Sequence, residues 1–207
     1  MGRSNIGEGE LRQMGRLVWS ARIFVCLMGA VAPAWAQLSP EQMKPWEEAD
    51  RAVVRLRPSA FPELPAGIRA ELNRRGCTIP QVSEIAERHN VIKGEFMKPG
   101  QTDWAVLCSV NRVSSILVFW NGSANGVAEI EKRPDIDRLQ SWTQDRIIFS
   151  RHLAPVSPAT ITEHYRAYGG PKPPPLDHQG IDDQFWGKAS VFEYFYRGKW
   201  LQLTGAD

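Results

Sequence analysis

Residues 102–120 read Thr102-Asp103-Trp104-Ala105-Val106-Leu107-Cys108-Ser109-Val110, then Asn111-Arg112, then Val113-Ser114-Ser115-Ile116-Leu117-Val118-Phe119-Trp120. Both runs are rich in β-branched and aromatic residues, the strand signature. In the first, Trp104, Val106, Cys108 and Val110 share one face, while Asp103, Ala105, Leu107 and Ser109 share the other. The second is apolar on both faces, which places the pair at the centre of a sheet covered on both sides.

Outward from this pair, strands are expected at Val91–Met97, Val127–Lys132, Arg146–His152, Lys188–Tyr196 and Lys199–Leu203, with turns at Pro99-Gly100, Asn121-Gly122 and Arg197-Gly198. Helices are expected on the N-terminal side. Ser39-Pro40-Glu41-Gln42 combines an N-cap serine, proline at the first helical position and Gln three residues past the cap, starting a helix that runs to about Leu56. A second helix, from about Pro65 to Arg75, sets Ile68 and Leu72 on one face and stops at Gly76. Ser157-Pro158 opens a third through Tyr168, stopped by Gly169-Gly170. The stretch 169–176, with Pro171 and Pro173–Pro175, is a stiff connector. The fold class expected is α+β: N-terminal helices packed on a mostly antiparallel sheet in a single domain.

The beginning of the chain sets the compartment. Arg16 and Arg22 lead into an apolar run, Ile23–Ala32, followed by Ala34-Trp35-Ala36, the small-x-small pattern of a signal-peptidase site. The run is shorter than the roughly 20 residues a membrane span needs. Residues 1–36 are therefore read as a signal peptide cleaved after Ala36, with translation starting at Met1 or Met14, and 37–207 as a mature domain that is periplasmic or secreted and not inserted in a membrane. Removing the leader's four Arg and two Glu from 25 basic and 23 acidic residues leaves 21 of each. A chain of no net charge argues against a nucleic-acid partner, which needs a basic stripe to displace counterions. Two cysteines remain, Cys77 and Cys108, and an even pair in an oxidising compartment is most simply a disulfide.

Two constellations bear on function. Asp177-His178 and Asp182-Asp183 form the densest group of titratable side chains, carboxylates beside an imidazole that serve general acid–base or metal chemistry when they converge. Their spacing matches no common metal motif, and such residues in a Gly-flanked loop also act as turn formers and caps. The C-terminal aromatics are the second constellation. Phe192, Tyr194 and Tyr196 point one way along a strand and Val191 and Phe195 the other; with Trp186 and Trp200 they supply either core or a platform for a sugar ring or partner protein. The reading that follows is an exported non-catalytic protein that binds a protein, small-molecule or glycan ligand through Trp186, Tyr194, Tyr196 and Trp200, with no cofactor and no metal. The alternative is a metal-assisted or acid–base hydrolase centred on Asp177, His178, Asp182 and Asp183.

Residues 94–106, Gly-Glu-Phe-Met-Lys-Pro-Gly-Gln-Thr-Asp-Trp-Ala-Val, resemble a single FG-GAP repeat, the calcium-binding blade element of integrin-type β-propellers. Gly100, Asp103 and Trp104-Ala105-Val106 carry the likeness, and Glu95 stands for the first acidic ligand. The resemblance implies a strand-turn-strand around a calcium loop. Met97 and Pro99 fall where the family places oxygen ligands, and calcium needs six to eight oxygens. The ending, Gly198–Asp207, is similar to uncharacterised bacterial exported proteins.

Peptide mapping of protein recovered from outside the cytosol checks the export reading: its N-terminus is expected at Gln37, with the Cys77 and Cys108 peptides joined until reduced. Recovery from cytosol with residues 1–36 attached and both thiols free refutes it.

Overall fold

A computed structural model describes residues 39–204; the signal-peptide reading falls outside them. Among the described residues are three α-helices and twelve strands: α1 (Pro40–Ala52), β1 (Arg55–Leu56), α2 (Ala66–Arg74), β2 (Ile79–Pro80), β3 (Val91–Gly94), β4 (Asp103–Val110), β5 (Val113–Phe119), β6 (Ala128–Pro134), β7 (Leu139–Thr143), β8 (Arg146–Phe149), β9 (Arg151–Val156), α3 (Pro158–Tyr168), β10 (Gly180–Phe185), β11 (Ala189–Tyr196) and β12 (Lys199–Thr204). No helix among them is long and apolar enough to cross a membrane.

The strands do not form one sheet. Two antiparallel four-stranded sheets, ordered β3-β4-β5-β6 and β12-β11-β10-β9, are accompanied by the pairs β1-β2 and β7-β8. The fold is mixed α and β, and the expectation of both N-terminal helices on a single sheet gives way to a layered arrangement. β4 and β5 are central in their sheet, as their composition requires. On one side Trp104, Val106, Cys108, Leu117 and Phe119 meet Ile68 and Leu72 of α2. On the other, Ala105, Leu107, Ile116 and Val118 share a core with Phe149, Leu153 and Ile181. The far face of the second sheet buries Val156, Phe192, Tyr194 and Leu203 with Ile161 of α3. α2, sheet, sheet and α3 thus follow one another with three apolar layers between them, while α1 lies against β7 and β8.

Local signals explain the helices. Ser39 and Gln42 form a reciprocal capping box, the Ser39 hydroxyl accepting from the Gln42 N–H at 3.3 Å and the Gln42 side chain accepting from the Ser39 N–H at 2.9 Å. α1 stops at Ala52, short of the expected Leu56, because Arg55 and Leu56 pair with Pro80 and Ile79. The expected strand Arg146–His152 is two strands. Ser150 sits at the break: its N–H donates to the Arg138 carbonyl on the β7 side (3.0 Å), and its own carbonyl accepts from Trp186 at the end of β10 (2.7 Å). The chain changes sheets at one residue.

Two polar knots tie the layers. The fully buried Asp135 carboxylate accepts from Arg55 Nε (3.1 Å) and Nη2 (2.8 Å), from the Ser109 hydroxyl (2.6 Å) and from the Ser114 hydroxyl, and Arg55 also reaches Asp50 of α1 at 2.6 Å. Asn90, wholly buried, links the two sheets. Its side-chain amide donates to the carbonyls of Pro80 (2.7 Å) and Arg151 (2.9 Å), its side-chain oxygen accepts from Leu153 N–H (2.9 Å), and its backbone carbonyl accepts from Leu107 N–H (2.9 Å). The Sγ atoms of Cys77 and Cys108 lie at disulfide distance, with Cα atoms 5.2 Å apart, joining the chain just after α2 to β4.

Replacing Asn90 by Ala strands the N–H of Leu153 and the carbonyl of Arg151 in a dry environment, where each unsatisfied group costs about 1–3 kcal/mol. The N90A protein is expected to lose about 3 kcal/mol in urea unfolding with its m-value unchanged; a loss below about 0.5 kcal/mol contradicts the bridging role.

Candidate functional site

β10 decides which of the sequence candidates meet. Asp182 and Asp183 are neighbours in an extended strand, paired with Phe192 and Val191 of β11 and with Ala154 and Leu153 of β9, so they project to opposite faces. Asp183 points between the sheets and Asp182 towards α3. Asp177 is exposed and precedes the strand, and His178 is buried with Nδ1 3.1 Å from the Gln179 carbonyl. The structure does not gather these four side chains in one place.

The aromatic group divides in the same way. Tyr194 is 2% exposed on the α3 side, and Tyr196 is half-buried on the same face. Trp200 lies on the opposite face, half-buried among Trp120 (5.9 Å, stacked) and Phe195 (5.6 Å, edge-on). Trp186, in the β10–β11 turn, is half-buried with its ring edge-on to His152 at 5.4 Å. Trp186 and Trp200 pack in the inter-sheet core and Tyr194 under α3, while the Tyr196 ring lies against Arg197, so the four rings do not form one surface. The exposed large aromatics among the described residues are Trp142 and Tyr168.

Asp183 belongs to a charge cluster within the inter-sheet layer. Its carboxylate pairs with Arg151 and lies 3.6 Å from Arg138, all three at or below 4% exposure. Burial lowers both guanidinium pKa values, that of Arg138 to about 10. Arg151 also lies 4.8 Å from the centre of the Phe185 ring. Glu193, on the same face of β11, accepts from Gln202 at 2.7 Å; burial pushes its carboxyl up to about 7, against the opposing effects of the Gln202 hydrogen bond and Arg151.

The face towards α3 holds a polar group of another kind. The Gln184 side-chain N–H donates to Asp182 Oδ2 at 2.7 Å. Its oxygen must then accept from His152 Nδ1 (3.0 Å), which makes that nitrogen the protonated one. Burial raises the Asp182 pKa, opposed by the neighbouring Gln184 and Ser190 and by His152 and His164. His164, one turn before the end of α3, packs its ring against Tyr168 (4.8 Å) and Phe192 (4.7 Å). Two buried atoms here, Asp182 Oδ1 and His164 Nε2, have no hydrogen-bond partner.

In front of this group a cleft of about 310 Å³ opens between the last turn of α3 and the β10–β11 hairpin, lined by residues that include His164, Tyr168, Gln184, Phe185, Lys188 and Ser190. Its volume is at the small end of the range for ligand pockets, roughly 300–1,000 Å³. Gly187, at φ +76°, closes the hairpin where a Cβ would stand 2.7 Å from the Trp142 ring. Sequence reasoning named Asp182 but not Gln184 or Ser190. The only local hint was Glu163-His164 with Tyr168 four residues on, which puts His164 and Tyr168 on one face of α3.

In the segment 94–106 the acidic side chain that carries the resemblance is held by the protein itself. Asp103, fully buried, has both oxygens occupied: Oδ2 accepts from Phe96 and Met97 N–H (2.9 and 3.0 Å), and Oδ1 accepts from the Gln101 side chain (2.7 Å) and Asn121 N–H (2.8 Å). Four N–H donors leave it no lone pair for a cation. Among the described residues no three His, Cys, Asp or Glu side chains are arranged to hold a metal. No family model, curated protein or solved structure matches the chain.

The Glu193 carboxyl gives a pH signature. Folded protein holds this proton to about pH 7, whereas the unfolded chain releases it near 4.5. The associated stability is therefore complete below about pH 4.5 and is lost as pH rises through 7. His89, whose pKa burial lowers, acts oppositely, favouring the fold as pH rises towards 6.5. Relative to Glu193→Gln, the unmodified protein is expected to lose about 2–3 kcal/mol of unfolding free energy between pH 5 and 8. Parallel curves for the two proteins across that range would remove Glu193 as the source.

Proposed function

We propose that this is an exported, non-catalytic protein that binds a small polar ligand in the cleft between α3 and the β10–β11 hairpin. The observation that carries the reading is the cleft itself, where His164, Gln184, Lys188 and Ser190 from α3 and the β10–β11 hairpin line one small space. Tyr168 and Phe192 supply apolar wall beside them, the mixture typical of small-molecule sites. Export and an oxidising compartment are supported by the leader's composition and by the Cys77–Cys108 pairing.

This reading relocates the working surface from the four aromatics named by the sequence, which are divided between two faces of the sheet, to the neighbouring cleft. The hydrolase alternative draws no support from the arrangement of Asp177, His178, Asp182 and Asp183.

Fragment screening of the disulfide-intact protein by amide NMR tests the proposal. Hits are expected to shift the amides of His164–Tyr168 and Gln184–Phe192 together, and Ser190→Ala is expected to weaken them about three- to ten-fold through one lost hydrogen bond. A library whose hits all map elsewhere, or that yields none, overturns it.

A further inference from the structure

Each four-stranded sheet ends in two edge strands, and an edge presents backbone N–H and carbonyl groups to any other strand that can reach them. Three of these edges are closed. At β9, Asn90 occupies the Leu153 N–H and the Arg151 carbonyl, and Pro155 has no N–H to offer. At β6, the charges of Glu129, Glu131, Lys132 and Arg133, a break in register opposite Ser114 and Ile116, the positive φ of Glu131 and the terminal Pro134 prevent regular pairing. β3 has four residues, and just beyond it Gln179 takes both the N–H (3.0 Å) and the carbonyl (2.9 Å) of Glu95.

The fourth edge, β12, has none of these devices. It reads Lys199-Trp200-Leu201-Gln202-Leu203-Thr204, with no proline, no register break and no charge after Lys199. Arg197 and Gly198, both at positive φ, form a two-residue turn, which makes Tyr196 and Lys199 a hydrogen-bonded pair. Tyr194 with Leu201 and Phe192 with Leu203 are then of the same kind, so Trp200, Gln202 and Thr204 turn their N–H and carbonyl groups away from β11. The register carried across β11 and β10 agrees, since it turns Arg151 and Leu153 outwards at the far edge, where Asn90 meets them. Among the described residues nothing hydrogen-bonds to the outward backbone groups of β12.

We propose that β12 is an interaction edge whose occupant is the β12 strand of a second copy of this chain, paired antiparallel across a two-fold axis. The two four-stranded sheets then form one continuous sheet.

The strand is complementary to itself in a single register. With the axis at Gln202, that residue stands opposite its own copy and Trp200 opposite Thr204 of the other copy, so every outward N–H meets an outward carbonyl. With the axis at Leu201, Thr204 is left without a partner and Lys199 comes opposite Leu203. Side chains favour the Gln202 axis as well. Leu201 faces Leu203 of the other copy on the α3 side, in the closer spacing of a non-hydrogen-bonded pair, and Trp200 faces Thr204 on the other side, an aromatic against a β-branched residue. Lys199, the only charge in β12, falls outside the paired residues, so no like charges are opposed. A strand of another protein has to supply this run of outward groups independently; a second copy has it by identity. Pairing on the axis also consumes the open edge of both copies, so assembly stops at two.

Sedimentation of the disulfide-intact protein from about 1 µM to about 1 mM, with amide hydrogen exchange at both ends of the range, tests the proposal. A concentration-dependent dimer is expected. In it the amides of Trp200, Gln202 and Thr204 exchange about ten-fold or more slowly than in the single chain, while those of Leu201 and Leu203, bonded to β11, are slow in both states. Thr204→Pro removes one outward N–H at an exposed position and leaves the bonds to β11 in place. It is expected to weaken the dimer about ten-fold or more with the remaining amide spectrum of the monomer unchanged. A monomer throughout the range overturns the proposal. So does a dimer in which the three outward amides exchange as freely as in the single chain, or one that forms equally well with Thr204→Pro. Slowing of these amides only when a different protein is added assigns the edge to that protein and overturns the second copy as occupant.

Discussion

The register of β10 is the constraint on which the rest depends. A strand that carries two adjacent aspartates between two helically covered sheets must send one carboxylate into each layer, and only one register gives both a partner. With Ile181 opposite Glu193 and Asp183 opposite Leu153, Asp183 meets Arg138 and Arg151 between the sheets, while Asp182 meets Gln184 under α3. A slip of one residue exchanges the faces and buries Ile181 among polar groups and an unpaired carboxylate in an apolar layer. Breaking a buried ion pair costs about 3–5 kcal/mol, although replacing the whole pair by apolar side chains is often neutral. The cluster's contribution is thus to exclude the wrong pairing more than to add stability. Gly180 enforces the same register sterically, since a Cβ there would lie 2.7 Å from the Glu193 carbonyl.

Helices and turns were legible because their signals are local. The Ser39 capping box, the Ser157 cap followed by Pro158, and Arg197-Gly198, whose residues both adopt positive φ as a two-residue hairpin turn requires, each act through atoms a few positions apart. The alternation of β4 was legible for the same reason. β10 was not. Gly180-Ile181-Asp182-Asp183-Gln184 lacks the β-branched run of a strand, and its aspartates are residues that strands avoid in isolation. What makes it a strand is the pair of arginines on distant elements and the open edges of β9 and β11, none of which its own sequence contains. Ser150 is similar: nothing between Arg146 and His152 announces that the chain leaves one sheet for another.

The candidate site was half legible for a related reason. Asp182 attracts notice as a titratable residue beside others, but His164, Gln184 and Ser190 come from a helix and two strands, and only the fold brings them together. Density of aromatics marks burial as readily as binding. Trp120, Phe195 and Trp200 fill the space between the sheets, a role that large rings fulfil by area alone.

The two polar clusters differ in their surroundings. Between the sheets, Asp183 and Asp135 are enclosed by arginines and hydroxyls. On the α3 side the polar group stands next to an open cleft. α3 starts beside Val156, at the Gly180 end of β10, and ends at Tyr168 beside the β10–β11 turn, where Gly169 at φ +79° halts the helix and the prolines from 171 to 175 carry the chain away. Ile161 and Tyr165 seal the Val156 end, while the opposite end keeps His164, Gln184 and Ser190 beside the exposed Tyr168 ring. The stop of α3 at Tyr168 thus leaves uncovered the part of the face that carries hydrogen-bonding side chains.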